Sequence, residues 1–134
     1  MKYFDSRLQW DYDRWPHFSP KELACKCCGE LWEDNDPSIP SRWVKHLDGL
    51  EVIRGMINEP IIITSGHRCI YHNAKVGGAK SSQHLILATD IACRKDLQKE
   101  FIRAAELAGF TGIGRYPSKN FVHLDLGANR RWKG

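Results

Sequence analysis

Two histidines and an aspartate in the second half of the chain are of the residue types that form catalytic zinc sites. His84 and Asp90 lie in a polar segment that follows the apolar run at residues 61–63, and His123 lies near the C-terminus. Two imidazoles and one carboxylate are a usual ligand set for a zinc ion whose fourth position stays open to water. We therefore expect these three residues to bind one zinc ion.

A carboxylate close to the last of these histidines has two possible roles. Apolar and polar residues alternate in Phe121-Val122-His123-Leu124-Asp125, so His123 and Asp125 would point to the same face of a β-strand. Asp125 would then either act as the general base that takes a proton from water or orient His123 through a hydrogen bond. We predict the catalytic base role, and the orienting role remains the alternative.

Arg68 and Ser82 are the candidate substrate-binding residues. Arg68 follows the predicted strand at residues 61–64, where its guanidinium can bind a substrate carboxylate through two parallel hydrogen bonds. This contact would make Arg68 part of the catalytic machinery. The alternative is that Arg68 only ties its loop to a nearby aspartate. Ser82, two residues before His84, is a second possible donor to the substrate.

Several short motifs surround these candidates: Phe18-Ser19-Pro20-Lys21-Glu22, Thr64-Ser65-Gly66-His67-Arg68, Ser82-Gln83-His84, Ala88-Thr89-Asp90-Ile91 and Phe121-Val122-His123-Leu124-Asp125. Together they resemble the zinc D-Ala-D-Ala carboxypeptidase family, and most closely its small phage-associated, endolysin-like peptidoglycan hydrolases. The resemblance covers roughly residues 17–133. One departure is that His84 and Asp90 are six positions apart without an intervening glycine, whereas the family pattern has seven positions and a glycine. The chain between the two ligands must therefore follow a path that is one residue shorter.

The resemblance implies a hedgehog/DD-peptidase-like fold, a zinc cofactor and cleavage of peptidoglycan peptide bonds that involve D-amino acids. In similar enzymes, the arginine of the S-G-x-R motif, which is Arg68 here, binds the substrate carboxylate. Several relatives carry an acidic residue three positions before the last histidine, where this chain has Asn120. Asn120 and the shortened spacing keep a second hypothesis open, a zinc-stabilised binding module that has the fold without the catalysis.

Length and charge limit the domain organisation and the partners. A chain of 134 residues with 42% hydrophobic composition predicts a single domain over residues 1–134, and we expect a monomer. The net charge of +4 comes from scattered Lys and Arg without a dense basic run, which disfavours a nucleic-acid partner. An anionic partner such as the bacterial cell wall suits this charge.

The first residues bear on where the chain acts. Met1-Lys2-Tyr3-Phe4-Asp5 contains no apolar signal-peptide core, and no segment approaches the ~18 apolar residues of a membrane span. We therefore expect synthesis in the cytoplasm without a signal peptide, no membrane insertion, and action on the cell wall after release in a phage or prophage context.

Five cysteines, at positions 25, 27, 28, 69 and 93, favour reduced thiols over a disulfide framework because their number is odd and no secretion signal is evident. A structural zinc site usually has two spaced cysteine pairs, and here Cys69 and Cys93 would have to supply the rest of the ligands from far along the chain. We expect instead that the first three are small apolar side chains packed near a turn at Gly29.

The periodicity of the remaining chain predicts an α+β domain, a small antiparallel sheet with flanking helices. Ser19, Pro20 and Glu22 predict a short capped helix, and apolar residues at helical spacing predict a long helix over residues 43–57. Asp96 is the expected cap of a further helix that stops at Gly109. Strands are expected at residues 61–64, 87–92, 112–115 and 121–126.

Overall fold

The computed structural model describes residues 9–32 and 37–134. Within these two ranges, four α-helices precede or separate five β-strands: α1 (Pro20–Leu23), α2 (Ile39–Ile57), β1 (Ile63–Ser65), α3 (Ile70–Lys75), β2 (Ala88–Ala92), α4 (Gln98–Leu107), β3 (Gly112–Tyr116), β4 (Phe121–Asp125) and β5 (Arg130–Lys133). Short 3-10 turns span Gln83–Leu85 and Lys95–Leu97. The segment Met1 to Asp5, on which the expectation of cytoplasmic synthesis rests, lies outside the described residues.

The five strands form one sheet in the order β1-β2-β4-β3-β5. The four predicted strands pair antiparallel, which confirms the α+β class. The fifth strand, β5, was not predicted, and it pairs in parallel with β3, so that the sheet is mixed rather than purely antiparallel. Its sequence, Arg130-Arg131-Trp132-Lys133, lacks the apolar alternation of a half-buried strand because β5 lies at the edge of the sheet.

The long helix α2 covers the sheet. Its buried apolar residues are Ile39, Trp43, Leu47, Leu50 and Ile53. The helix ends where Asn58 takes a left-handed conformation (φ 57°) and its N–H bonds the carbonyl of Arg54, two residues before Pro60. Together with Phe101 and Ala105 of α4, this face packs against alternate residues of the sheet, Ile91, Ile113, Val122 and Leu124.

Local sequence features explain the ends of the two other predicted helices. In α1, the backbone N–H of Ser19 donates to Glu22 Oε2 at 2.7 Å, which is one half of the predicted capping box. The predicted cap at Asp96 is wrong, because residues 95–97 already form a 3-10 turn and α4 begins only at Gln98. The buried Gln98 side chain ties the start of α4 to the sheet, because its amide donates to the carbonyl of Cys93, just after β2, and to that of Tyr116, at the end of β3.

Strand alternation divides the sheet into two faces. Thr89, Val122 and Leu124 face the helical layer, where Thr89 Oγ1 lies 2.9 Å from His46 Nε2 of α2. Asp90 and His123 therefore lie on the opposite face. Within residues 9–32 and 37–134, none of the helices is both long enough and apolar enough to cross a membrane.

Candidate metal centre

The antiparallel pairing of β2 and β4 brings two of the three predicted ligands together. Asp90 is directly opposite His123 in the register of this pair. Directly opposed residues on one face are in contact distance, and His123 Nδ1 lies 2.9 Å from Asp90 Oδ1. Two strands adjacent in the sheet but far apart in the sequence thus place an imidazole and a carboxylate side by side.

His84 reaches the same point from the 3-10 turn Gln83–Leu85. The Ser82 hydroxyl accepts the backbone N–H of His84 at 3.2 Å, and Ile86 (φ −106°, ψ −80°) redirects the chain from the turn toward β2. His84 Nε2 then lies 3.1 Å from Asp90 Oδ1. The ligand atoms of His84, Asp90 and His123 are all within 4.8 Å of one another, so the shortened spacing still allows the three residues to converge.

The second nitrogen of each imidazole is held by an oxygen of the protein. His84 Nδ1 lies 2.7 Å from the carbonyl of Gly66, and His123 Nε2 lies 2.6 Å from Asp125 Oδ2. A carbonyl oxygen can only accept, so Nδ1 of His84 carries the proton and Nε2 keeps its lone pair for the centre. This arrangement of outer acceptors is the usual one around metal-binding histidines.

Asp125 lies behind His123 and is fully buried. Its Oδ1 accepts from Arg130 Nη1 and from the backbone N–H of Gly127, both at 2.9 Å, and its Oδ2 accepts from Arg130 Nη2 at 2.7 Å. With the His123 contact, all of the roughly four acceptor positions of a carboxylate are occupied. The two roles predicted for Asp125 are therefore not equally compatible with its contacts, which match the orienting role more closely than the base role.

Arg68 is largely engaged inside the protein. Its Nε donates to Ser65 Oγ at 3.2 Å, its Nη1 to Asn73 Oδ1 at 3.0 Å and its Nη2 to Asp90 Oδ2 at 3.4 Å. The last of these bonds holds Oδ2 of Asp90. It matches the alternative prediction, in which Arg68 ties its loop to a nearby aspartate. The three bonds use three of the five N–H groups of Arg68, which also lines the cleft, so that both predicted roles are compatible with its position.

A cleft of about 510 Å³ opens at the three converging residues. It is lined by Arg68, Gly77, Gly78, Ala79, Ser81, Ser82, Gln83, His84, Asp90, Tyr116, Phe121, His123, Arg130 and Trp132. Trp132 of β5 lies beside His123 with 5.2 Å between ring centroids, and its indole N–H donates to the Tyr116 hydroxyl at 2.8 Å. Aromatic surface on one side and guanidinium groups at the edges suit an extended ligand with a carboxylate.

The charges of the centre are balanced internally. Burial alone would raise the pKa of Asp90, but its polar contacts with His123 and His84 outweigh burial and hold that pKa well below its usual range. The pKa of Asp125 is likewise lowered, because its bonds with His123 and Arg130 outweigh burial. Both carboxylates are therefore negatively charged at neutral pH and favour a cation between the imidazoles.

This donor set fits a zinc ion. Two imidazole nitrogens and one carboxylate oxygen converge at a cleft, each with an outer contact that fixes its orientation. Three protein ligands with an accessible fourth side are the arrangement of catalytic rather than structural zinc sites.

Comparison with known proteins agrees with this geometry. The family model described as Peptidase M15 matches residues 16–125. The chain belongs to the Peptidase M15 family. The predicted peptidase family is thereby confirmed at the level of Peptidase M15, and the assignment to its D-Ala-D-Ala carboxypeptidases stays a prediction.

Two curated relatives of the chain are named as peptidoglycan endopeptidases. The chain is 34% identical over 86 residues to the probable peptidoglycan L,D-endopeptidase MepK of Haemophilus influenzae, which covers 60% of this chain and 46% of the relative. It is 32% identical over 93 residues to the peptidoglycan L,D-endopeptidase MepK of Escherichia coli, with 63% and 51% covered. The chain thus spans about half the length of the curated relatives it matches.

Sequence reasoning missed several residues that build the candidate site. Arg130 and Trp132 lie on the unpredicted strand β5, and Asn73 lies on α3, which was not predicted either. Gly77 has a positive φ of 74°, as expected for a tight turn, but Gly78 is needed for another reason: a Cβ there would collide with the Asn73 amide beside Arg68. The resemblance to the family extends to about residue 133 and so includes Arg131-Trp132, which was the available signal for β5.

His67 and Asn120 lie away from the cleft lining. His67 is buried and its Nδ1 lies 3.3 Å from the carbonyl of Ile86, so it packs behind the loop rather than facing the substrate space. Asn120 has a positive φ of 57° in the turn between β3 and β4. That position is explained by turn geometry, which asparagine tolerates well.

Proposed function

We propose that this chain is a zinc-dependent peptidase that hydrolyses peptide bonds of the peptidoglycan stem or cross-bridge. The observation that carries the proposal is the convergence of His84, Asp90 and His123 at the floor of the cleft. Membership of the Peptidase M15 family and the names of its relatives support peptidoglycan as the substrate.

The proposed division of roles follows from the contacts of the chain. His84, Asp90 and His123 would hold the zinc ion, which when bound supplies Lewis acidity toward the scissile carbonyl and toward water. Gly66 and Asp125 keep the two imidazoles oriented through their outer nitrogens. In this proposal, Asp125 is a positioning residue, since it reaches the centre through His123.

Substrate binding is assigned to the rim of the cleft. Arg68 offers its two remaining N–H groups to a peptide carboxylate. Hydrogen bonds to Asn73 and Ser65 already hold its guanidinium group in place. The Ser82 hydroxyl accepts the His84 N–H, so its own proton is available to a substrate carbonyl. Trp132 supplies an apolar wall for the peptide.

Hydrolysis of purified peptidoglycan tests the proposal directly. The released peptides and free amines should appear with the zinc-loaded protein, disappear with a chelator and return when zinc is added back. His84→Ala, Asp90→Ala and His123→Ala should each lose hydrolysis together with the zinc ion that these three residues bind. His17→Ala is the matched control, because His17 pairs with Glu51 on an exposed surface away from the cleft.

The same assay separates the proposal from the binding-module hypothesis. A protein that binds zinc and sediments with peptidoglycan but releases no product would be such a module. Mass analysis of the products would show which bond is cut, and thereby distinguish an L,D-endopeptidase from a D-Ala-D-Ala carboxypeptidase. A protein that holds no metal and releases nothing would contradict both hypotheses.

An endolysin-like role is part of the proposal and rests on the motif resemblance to phage-associated hydrolases. Expression of the chain alone should leave host cells intact, while cells with permeabilised membranes should lose their walls. Lysis on simple cytoplasmic expression would contradict a requirement for release by a partner.

A further inference from the structure

Three cysteine side chains meet where the turn after α1 contacts the loop that carries Arg68. The sulfur atoms of Cys25, Cys28 and Cys69 all lie within 4.8 Å of one another. Cys25 and Cys69 are buried, with 2% and 3% exposure, and Cys28 is half-buried. Sequence spacing disfavoured such a cluster because Cys69 is distant along the chain, yet the fold brings it next to the other two.

The first two cysteines lie on a tight turn with C-x2-C spacing. The backbone N–H of Gly29 donates to the carbonyl of Cys25 at 2.8 Å, and the N–H of Cys25 donates to the carbonyl of Glu30 at 2.8 Å. Gly29 closes the turn with a positive φ of 76°. This spacing is the one that structural zinc sites use to present two thiolates from one turn.

The third cysteine is placed at the start of α3. Cys69 is the N-cap residue, and its sulfur accepts the backbone N–H of His72 at 3.3 Å. The backbone N–H of Cys69 in turn donates to the sulfur of Cys25 at 3.3 Å. N–H groups aimed at sulfur stabilise a thiolate more than a thiol, because the acceptor is then charged.

We propose that Cys25, Cys28 and Cys69 bind a second zinc ion, which is structural and separate from the ion at His84, Asp90 and His123. Cys27, which is exposed on the same turn between Cys25 and Cys28, would complete this site as the fourth ligand. Three sulfur ligands from the turn after α1 and one from the start of α3 would make a closed tetrahedral site without an open position for substrate.

The position of this site gives it a structural purpose. The turn that holds Cys25 and Cys28 follows α1, and the N–H of His67 donates to the carbonyl of Leu23 in α1 at 2.9 Å. A Cβ at Gly66 would collide with the backbone of Leu23, so the two segments are in direct contact. A metal ion bound to Cys25 and Cys69 would clamp the segment whose Gly66 carbonyl orients His84.

Zinc content of the full chain, purified under reducing conditions, tests the proposal. The wild-type protein should contain two zinc ions per chain, and His84→Ala should retain one. Cys28→Ser should lose the other ion, and Cys28→Ser combined with His84→Ala should lose both. Cys93→Ser is the matched control and should keep two, because Cys93 is not among the clustered thiols.

A second measurement does not depend on a cysteine variant that folds. Cadmium bound by thiolates has a charge-transfer absorption that imidazole and carboxylate ligands lack, so cadmium-loaded His84→Ala protein should show this band. In the metal-loaded protein, the clustered thiols should react with an alkylating agent only after a chelator has removed the metal, whereas Cys93 should react before and after chelation. The proposal would be overturned by one zinc per wild-type chain with none in His84→Ala, or by absence of the cadmium band. A disulfide among the three cysteines in protein purified under reducing conditions would overturn it as well.

Discussion

Replacing Asp125 by asparagine separates the two roles considered for this carboxylate. The substitution keeps the shape of the side chain but removes the charge that four hydrogen bonds currently share. None of the three proposed zinc ligands is altered. The variant therefore tests what the carboxylate itself contributes.

The contacts of Asp125 allow the expected size of the effect to be worked out. A buried hydrogen bond to a charged group is worth about 1.5–3 kcal/mol. In Asp125→Asn, the guanidinium of Arg130 faces a neutral amide instead of a carboxylate. Arg130 is 37% exposed, so water compensates part of this loss. We expect the free energy of unfolding to fall by about 2 kcal/mol, and the affinity for zinc to fall by roughly 10- to 100-fold as His123 loses its orienting acceptor.

Turnover of Asp125→Asn on peptidoglycan, measured at rising zinc concentrations, decides between the roles. If Asp125 positions His123, activity should return to near the wild-type level once zinc is saturating. If Asp125 is the base, zinc should bind yet turnover should stay lower by roughly 10² to 10⁴ at every zinc concentration. That second result would refute the positioning role, which rests on the filled acceptor positions of the carboxylate. Arg130→Lys is a useful comparison, because it keeps a positive charge beside Asp125 but loses the two parallel bonds.

Three further outcomes are expected. Burial lowers the pKa of His46 to about 3; because this histidine binds its proton near pH ~6.5 in the unfolded chain, it should contribute a fall of about 2 kcal/mol in stability between pH 7 and 5, in addition to the loss from buried His67, whose pKa is lowered to about 4. His46→Gln, both proteins being chelated, should flatten this loss in denaturant titrations, and an unchanged slope would contradict a neutral buried His46. Gly112→Ala should destabilise by roughly 1–3 kcal/mol, because its Cβ would collide with Asp125, whereas Gly55→Ala, which meets open space in α2, should stabilise by roughly 0.5–1 kcal/mol. Arg68→Lys should lower kcat/KM by roughly 10- to 100-fold, while Arg131→Lys should not; equal effects would argue against a specific contact of Arg68 with substrate.

Part of the structure was predictable because its determinants are local. Apolar alternation around His123 indicated a strand that presents His123 and Asp125 on one face, and β4 has that form. Helical spacing of apolar residues likewise indicated α2, because the residues that form its buried face are close together in the sequence. The types of the three candidate ligands, and the motifs around them, were sufficient to predict both the family and a cluster of His84, Asp90 and His123.

Other features depend on contacts between distant segments, which local periodicity does not encode. The contacts of Asp125 could not be predicted from the sequence, since its partner Arg130 is carried by β5, an edge strand that pairs with β3. The cysteine cluster likewise requires α1 to pack against the loop before α3. The sequence by itself determined which side chains can bind metal; only the tertiary structure decided which of them meet, because that depends on strand order, register and packing.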